Sequence, residues 1–217
     1  MPFRLGSVNC YLLKADSGYF LIDTGSPNNR SEVEREILDA GCVPGEMNLI
    51  ILTHGDFDHS GNAAYLRKRY DSKIAMHIGD LGMVERGEMF SNRKKGNNIF
   101  TRKLFPPLIG FRKSERFTPD LYFEDGDDLS HFGLEAQVLS ISGHSRGSIG
   151  ILTTSGDLIC GDLFENINKP DINSLMDDKA AAEISVEKLK NFEIKTVYPG
   201  HGSPFQLDHF INFVAVA

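Results

Sequence analysis

Between Ile51 and Asn62 the chain reads ILTHGDFDHSGN, placing His54, Asp56, Asp58 and His59 within six positions directly after a short apolar run. All four side chains can offer lone pairs to a cation. Holding them together away from water is costly unless something positive neutralises and orients them, and a divalent metal does both. The apolar run NLIILT ends at Thr53 and a helical pattern opens near Ser60 or Gly61, so the cluster is predicted to lie in a strand-to-helix loop. Such loops are where a rigid scaffold presents functional groups. Further ligand candidates follow later apolar runs: His144 in SGHSRGS, Asp162 in CGDLF and His201 in YPGHGSP. Each is flanked by glycine, which lets the backbone turn sharply and approach closely.

The elements that must carry these residues are legible as short runs. Residues 9–15, 19–25, 48–53, 73–77, 136–142, 149–155, 158–160 and 195–199 are β-branched or apolar and read as strands. Between them SEVEREILDAG reads as a helix with Ser31 as N-cap, Glu34 three residues on and Gly41 as its stop. GNAAYLRKRY and KAAAEISVEKLKNF are also helical, and FQLDHFINFV is expected to close the chain as a last helix. Strands come as hairpin-like pairs at the start and near 134–160, and alternate with helices elsewhere. That mixture predicts sheets covered by helices, in a single domain spanning residues 1–217.

At 217 residues, 41% hydrophobic and 24% charged, the chain can build a core without staples. It has no apolar run near the ~20 residues that span a membrane, and its first residues lack a signal-peptide pattern, so a cytoplasmic location is expected. Cys10, Cys42 and Cys160 are odd in number and far apart, which suits reduced, buried packing residues. The formal charge of −7 argues against nucleic acid as a partner. One segment departs from the rest: residues 85–118 hold nine Lys/Arg against three Glu, with five phenylalanines interleaved, and read as an insertion. A solvated basic face, a lid over the site, or a homodimer or membrane-contact surface would use that composition.

The ordered set of His-x-x-x-Asp-His, Gly-His-Ser, Gly-Asp and Pro-Gly-His, with the early LIDTG, resembles the metallo-β-lactamase superfamily of hydrolases, and within it the small glyoxalase II-like and lactonase-like members. The resemblance covers roughly 8–77 and 130–205. It implies an α/β fold of four layers, an αβ/βα sandwich with metals at one edge. By the same resemblance His54, Asp56 and His144 hold a first metal, Asp58, His59 and His201 a second, and Asp162 bridges the pair, while Asp23 supports the site from behind. Two such metals share a hydroxide, lower its pKa and polarise the bond it attacks, with Asp58 carrying the proton to the leaving group.

The departure from the family pattern is Asp56, where most members have histidine. Two readings stand open: a carboxylate too short to reach, leaving one metal, or a replacement ligand that keeps two. Oxygen donors favour iron or manganese relative to zinc, which is otherwise the expected metal. The function the resemblance implies is hydrolysis of an ester-like bond in a small molecule, a thioester or lactone ahead of a phosphodiester, and a β-lactam last. The alternatives are a di-iron oxidoreductase like the flavodiiron or sulfur-dioxygenase members, and a metal-binding protein without turnover. Arg146 is placed to meet an anionic substrate group, and Phe164 with Glu165 to line the pocket rim. His77, His131 and Tyr198 read as ordinary packing or surface residues.

Overall fold

The computed structural model describes residues 2–5, 8–87 and 112–208, with side chains from residue 8 onward. Alternation along the strands decides the layers. In β3 (Gly18–Ile22) Tyr19 and Leu21 face one way and Phe20 and Ile22 the other; in β4 (Met47–Ile51) Ile50 sits with Leu21, and Leu49 and Ile51 with Phe20. Both faces are apolar, so the sheet is buried on both sides. Its order is β1 (Pro2–Leu5), β2 (Val8–Ala15), β3, β4, β5 (Lys73–Met76) and β6 (Leu121–Tyr122). The first three strands pair antiparallel and the later ones parallel.

The second sheet runs β12 (Phe205–Gln206), β11 (Thr196–Gly202), β9 (Asp157–Asn166), β8 (Ile149–Thr153) and β7 (Ala136–Ser140), with β10 (Asp171–Ile172) also on β9. Hairpin partners β7, β8 and β9 are antiparallel, whereas β9 and β11, separated by a helix, are parallel. Between the sheets Phe20, Ile22, Leu49 and Ile51 pack on Val138, Ile149, Ile151 and Ile159. Outside the first sheet, Leu21, Ile50 and Ile74 meet Val33 and Ile37 of α1 (Arg30–Asp39), Leu66 and Tyr70 of α3 (Ala63–Tyr70) and Val84 of α4 (Leu81–Arg86). Outside the second, Leu139, Leu152 and Leu158 meet Ala182 and Leu189 of α5 (Lys179–Leu189). The layers are therefore helix, sheet, sheet, helix, the expected αβ/βα sandwich.

Three local expectations are corrected. α1 starts at Arg30 with Asn29 in the N-cap position, because a 3-10 turn at Pro27–Asn29 feeds straight into it; Ser31 falls inside the first turn and caps nothing. Gly41 does follow the helix, at a φ of +88° that favours glycine. The polar cluster does not stay in a loop until Ser60: a short helix, α2 (Phe57–Ser60), begins just after Asp56 and carries Asp58 and His59. Before the last helical pattern, Phe205–Gln206 pair as a strand with β11, and helix starts only at 207–208, beyond which lies no described residue.

Of the 85–118 insertion, residues 88–111 lie outside the described residues, so the lid, homodimer and membrane-contact expectations do too. Its far end is anchored: Phe117 is buried in the outer core of the first sheet, and Glu115 stands 3.7 Å from Arg30. All three cysteines are buried and unpaired, as their spacing predicted. Among the described residues no helix is long and apolar enough to cross a membrane. Truncating Ile51, fully buried between the sheets, is predicted to cost about 2–5 kcal/mol of stability in urea unfolding. A cost near zero would show that the sheets do not pack through it.

Candidate metal centre

Five segments meet at one edge of the sandwich. β4 runs out into His54 and Asp56; α2 supplies Asp58 and His59; the loop between β7 and β8 supplies His144; β9 and β11 supply Asp162 and His201. The pairing of β9 with β11 slips in register around Pro199, where Gly161 takes a φ of +49°. Such irregularities re-aim side chains beside functional sites. Here the slip frees Asp162 and His201 from strict alternation and turns both toward the edge. Gly200 makes the contact possible, since a Cβ there would collide with Asp162 Oδ1 and stand 2.6 Å from His59 Cε1.

The geometry brings all seven expected residues together. Lone-pair-bearing atoms of His54, Asp56 and His144 lie within 4.8 Å of one another, as do those of Asp58, His59 and His201, and those of His54, His59 and Asp162, and each group could hold a metal ion. Asp162 lies between the first two groups: Oδ1 is 3.3 Å from His59 Nε2, and Oδ2 is 3.3 Å from His201 Nε2 and 3.7 Å from His144 Nε2. Asp56 is not too short to reach. Its Oδ2 stands 3.0 Å from His144 Nε2 and 3.7 Å from His54 Nε2.

Partners behind the imidazoles fix which nitrogen faces inward. Asp23 is 1% exposed, and its Oδ2 accepts from His59 Nδ1 at 2.8 Å and from the Thr53 hydroxyl at 2.7 Å. The Thr53 oxygen, its proton given to Asp23, receives His54 Nδ1–H at 3.0 Å. His144 Nδ1 faces the Leu175 carbonyl at 2.8 Å and can only donate to it. With a metal bound, each of these three rings would keep its proton on Nδ1 and offer its Nε2 lone pair inward. Asp23, expected to support the site from behind, does so for two histidines at once, from a backbone at φ 60°.

A cation fits this arrangement. His54 Nε2 is buried without a hydrogen-bond partner among the described residues, at a cost of about 1–3 kcal/mol if left so, and His59 Nε2 and Asp162 Oδ1 are buried facing each other at 3.3 Å. Burial, followed by His59 and His144, holds the His54 imidazole well below the usual histidine range, so it is a neutral lone-pair donor. Burial also opposes charge on His59, but Asp162, Asp23 and Asp58 outweigh it and push its pKa up. Burial alone would raise the Asp162 carboxyl; His59, His201 and His144 instead keep it well below the usual range, and it is ionised. The acidic groups thus call for positive charge at the point where the lone pairs converge, which a divalent metal supplies.

The remaining expectations divide. Arg146 is exposed on the turn after His144 and makes no hydrogen bond or ion pair with a described residue. Phe164 is not at a pocket rim. It is fully buried with its ring edge-on to Phe205, because the slip in β9 lets Leu163 and Phe164 both enter the outer core. His77 caps the turn at Ile78–Asp80, accepting from Gly79 N–H at 2.9 Å.

Sequence reading missed Asn9, whose amide donates to the Pro199 and Gly202 carbonyls at 2.9 and 2.7 Å and steadies the His201 segment. It also missed Asn62, which clasps Thr24 and Ser26, and Asp80. The one local signal was a polar residue inside or just after an apolar run. The Asp56→His variant, purified without added metal, is predicted to shift bound metal toward zinc relative to iron and manganese in elemental analysis. Unchanged content would mean that Asp56 is not a ligand.

Comparisons with known proteins identify the family. The family model described as the metallo-beta-lactamase superfamily matches residues 3–201. The chain is similar to the rat protein named metallo-beta-lactamase domain-containing protein 1, 24% identical over 213 residues, covering 95% of this chain and 70% of that one. It is similar to the bovine acyl-coenzyme A thioesterase MBLAC2, 25% identical over 230 residues, covering 95% of this chain and 77% of that one. Among solved structures, TTHA1623 in a di-iron-bound form superposes with a TM-score of 0.72 at 25% identity, over 96% of this chain and 95% of that one. With the fold, the converging ligands and a family match across nearly its whole length, the chain belongs to the metallo-beta-lactamase superfamily and is a metal-dependent hydrolase.

Proposed function

We propose that the chain hydrolyses a thioester of a small molecule, with a lactone next in order, a phosphodiester after it and a β-lactam last. His54, Asp56 and His144 on one side and Asp58, His59 and His201 on the other would hold two divalent metals, with Asp162 placed between the two groups. The observation that carries this reading is the Asp162 carboxylate, 3.3–3.7 Å from an Nε2 of each side. The similarity to an acyl-coenzyme A thioesterase supports a thioester ahead of the other bonds.

When bound, a metal pair supplies Lewis acidity and a water acidic enough to be deprotonated near neutral pH. The chain's own residues do the rest. Asp23 and the Leu175 carbonyl keep His59 and His144 in the tautomer that leaves Nε2 free to ligate, and Asp23 acts on His54 through Thr53. Asp58 is the most exposed of the three inner carboxylates, with its side chain 26% accessible against 15% for Asp56 and 6% for Asp162. From there it passes a proton to the leaving group. Arg146, exposed beside His144, meets an anionic part of the substrate.

Zinc is the metal this reading takes first. Asp56 offers an oxygen where an imidazole would favour zinc, and the likeness to a protein solved in a di-iron-bound form supports iron as its rival. Buried, unpaired thiols at Cys10, Cys42 and Cys160 suit a reducing cytoplasm.

The test is a panel of acyl-coenzyme A thioesters, lactones, phosphodiesters and β-lactams, assayed with metal-loaded protein and again after chelation. Thioester cleavage that chelation abolishes and metal restores is the expected result. Turnover that depends on an added reductant or on oxygen, with no ester cleaved, would contradict it.

A further inference from the structure

Asp80 lies outside the ligand set, yet it is fully buried and its carboxylate accepts hydrogen bonds from both flanks of the first trio. Oδ2 takes Gly55 N–H at 3.0 Å, from the residue between His54 and Asp56, and the Ser145 hydroxyl at 2.6 Å, from the residue after His144. Oδ1 takes Gly147 N–H at 2.9 Å. The fit has no slack: a Cβ on Gly147 would stand 2.7 Å from Asp80 Cγ, and one on Gly55 would stand 3.2 Å from Asp80 Cβ. Three hydrogen bonds to one buried carboxyl group fix two loops that are remote in sequence. The Asp58, His59 and His201 trio is braced elsewhere. Asp23 holds His59, and Asn9 and Tyr11 hold the Pro199 carbonyl two residues before His201.

We propose that Asp80 is a positioning residue for one of the two metals. It ties the loop of His54 and Asp56 to the loop of His144, and so sets the spacing of that trio while leaving the other trio untouched. The proposal rests on the two-metal reading above. No sequence motif announces it, because the three donors lie 25, 65 and 67 residues from Asp80.

The experiment is a zinc titration of metal-free protein against a chromophoric chelator, on wild type first and then on Asp80→Asn and Ser145→Ala. Asp80→Asn keeps the shape but turns an amide NH2 toward one of the donors. Ser145→Ala removes a single arm and leaves the carboxylate in place. Asp56→Ala identifies which zinc equivalent belongs to the first trio. Wild type is expected to take two equivalents, and Asp80→Asn to weaken the Asp56-dependent one by about 10–100-fold while the other holds its affinity. Ser145→Ala is expected to weaken the same equivalent by a smaller factor, and decides the matter alone if Asp80→Asn does not fold. Equal weakening of both equivalents, or a lower melting temperature of the metal-free variant with unchanged zinc affinity, would overturn the proposal. A wild type that takes one equivalent would overturn the two-metal reading itself, before any variant is compared.

Discussion

Three carboxylates, Asp56, Asp58 and Asp162, and four imidazoles turn their lone pairs into one small volume, and that convergence is the constraint to which the rest of the molecule answers. Without a cation the buried carboxylates crowd one another and His54 Nε2 is left without a partner among the described residues. With one, the same atoms would form a ligand set. The chain therefore has to hold an arrangement that is unfavourable on its own, and it does so from behind. Asp23 fixes His59 directly and His54 through Thr53, and the Leu175 carbonyl fixes His144.

The fold makes that bracing rigid. Two sheets with both faces buried carry the candidate ligands on strands, just past strand ends or on the short helix α2, so these side chains inherit the stiffness of a packed core. The β9–β11 register slip is the one place where regular pairing yields, and it yields where Asp162 and His201 have to share an edge. Asn9 ties the first sheet to this irregular stretch of the second by donating to the Pro199 and Gly202 carbonyls, which places part of the inter-sheet contact in the site's own support.

Much of this was legible from residue types. The ligands stand in strand-to-loop positions flanked by glycine, and strong periodicity marked α3, α5 and the buried strands with boundaries within a few residues. Layer assembly was not legible in that way, because which sheet a strand joins depends on partners far along the chain; the family resemblance provided it. Ser31 misled because a local capping pattern competed with an upstream 3-10 turn, and the turn prevailed. Phe164 misled because its place just after Asp162 suggested the rim, whereas the irregular pairing of β9 sends it into the outer core. Asn9 and Asp80 gave only the weak signal of a polar residue beside an apolar run, since their donors and acceptors lie 25 to 193 residues away. Asp56 was left open between loss and replacement, and its reach to both His54 and His144 favours replacement.

A shared pair of metals is the central requirement, and anomalous scattering from crystals of the metal-loaded protein tests it most directly. Two peaks flanking the Asp162 carboxylate are expected, one beside His54, Asp56 and His144 and the other beside Asp58, His59 and His201. A single peak, or two peaks that Asp162 does not separate, would contradict it.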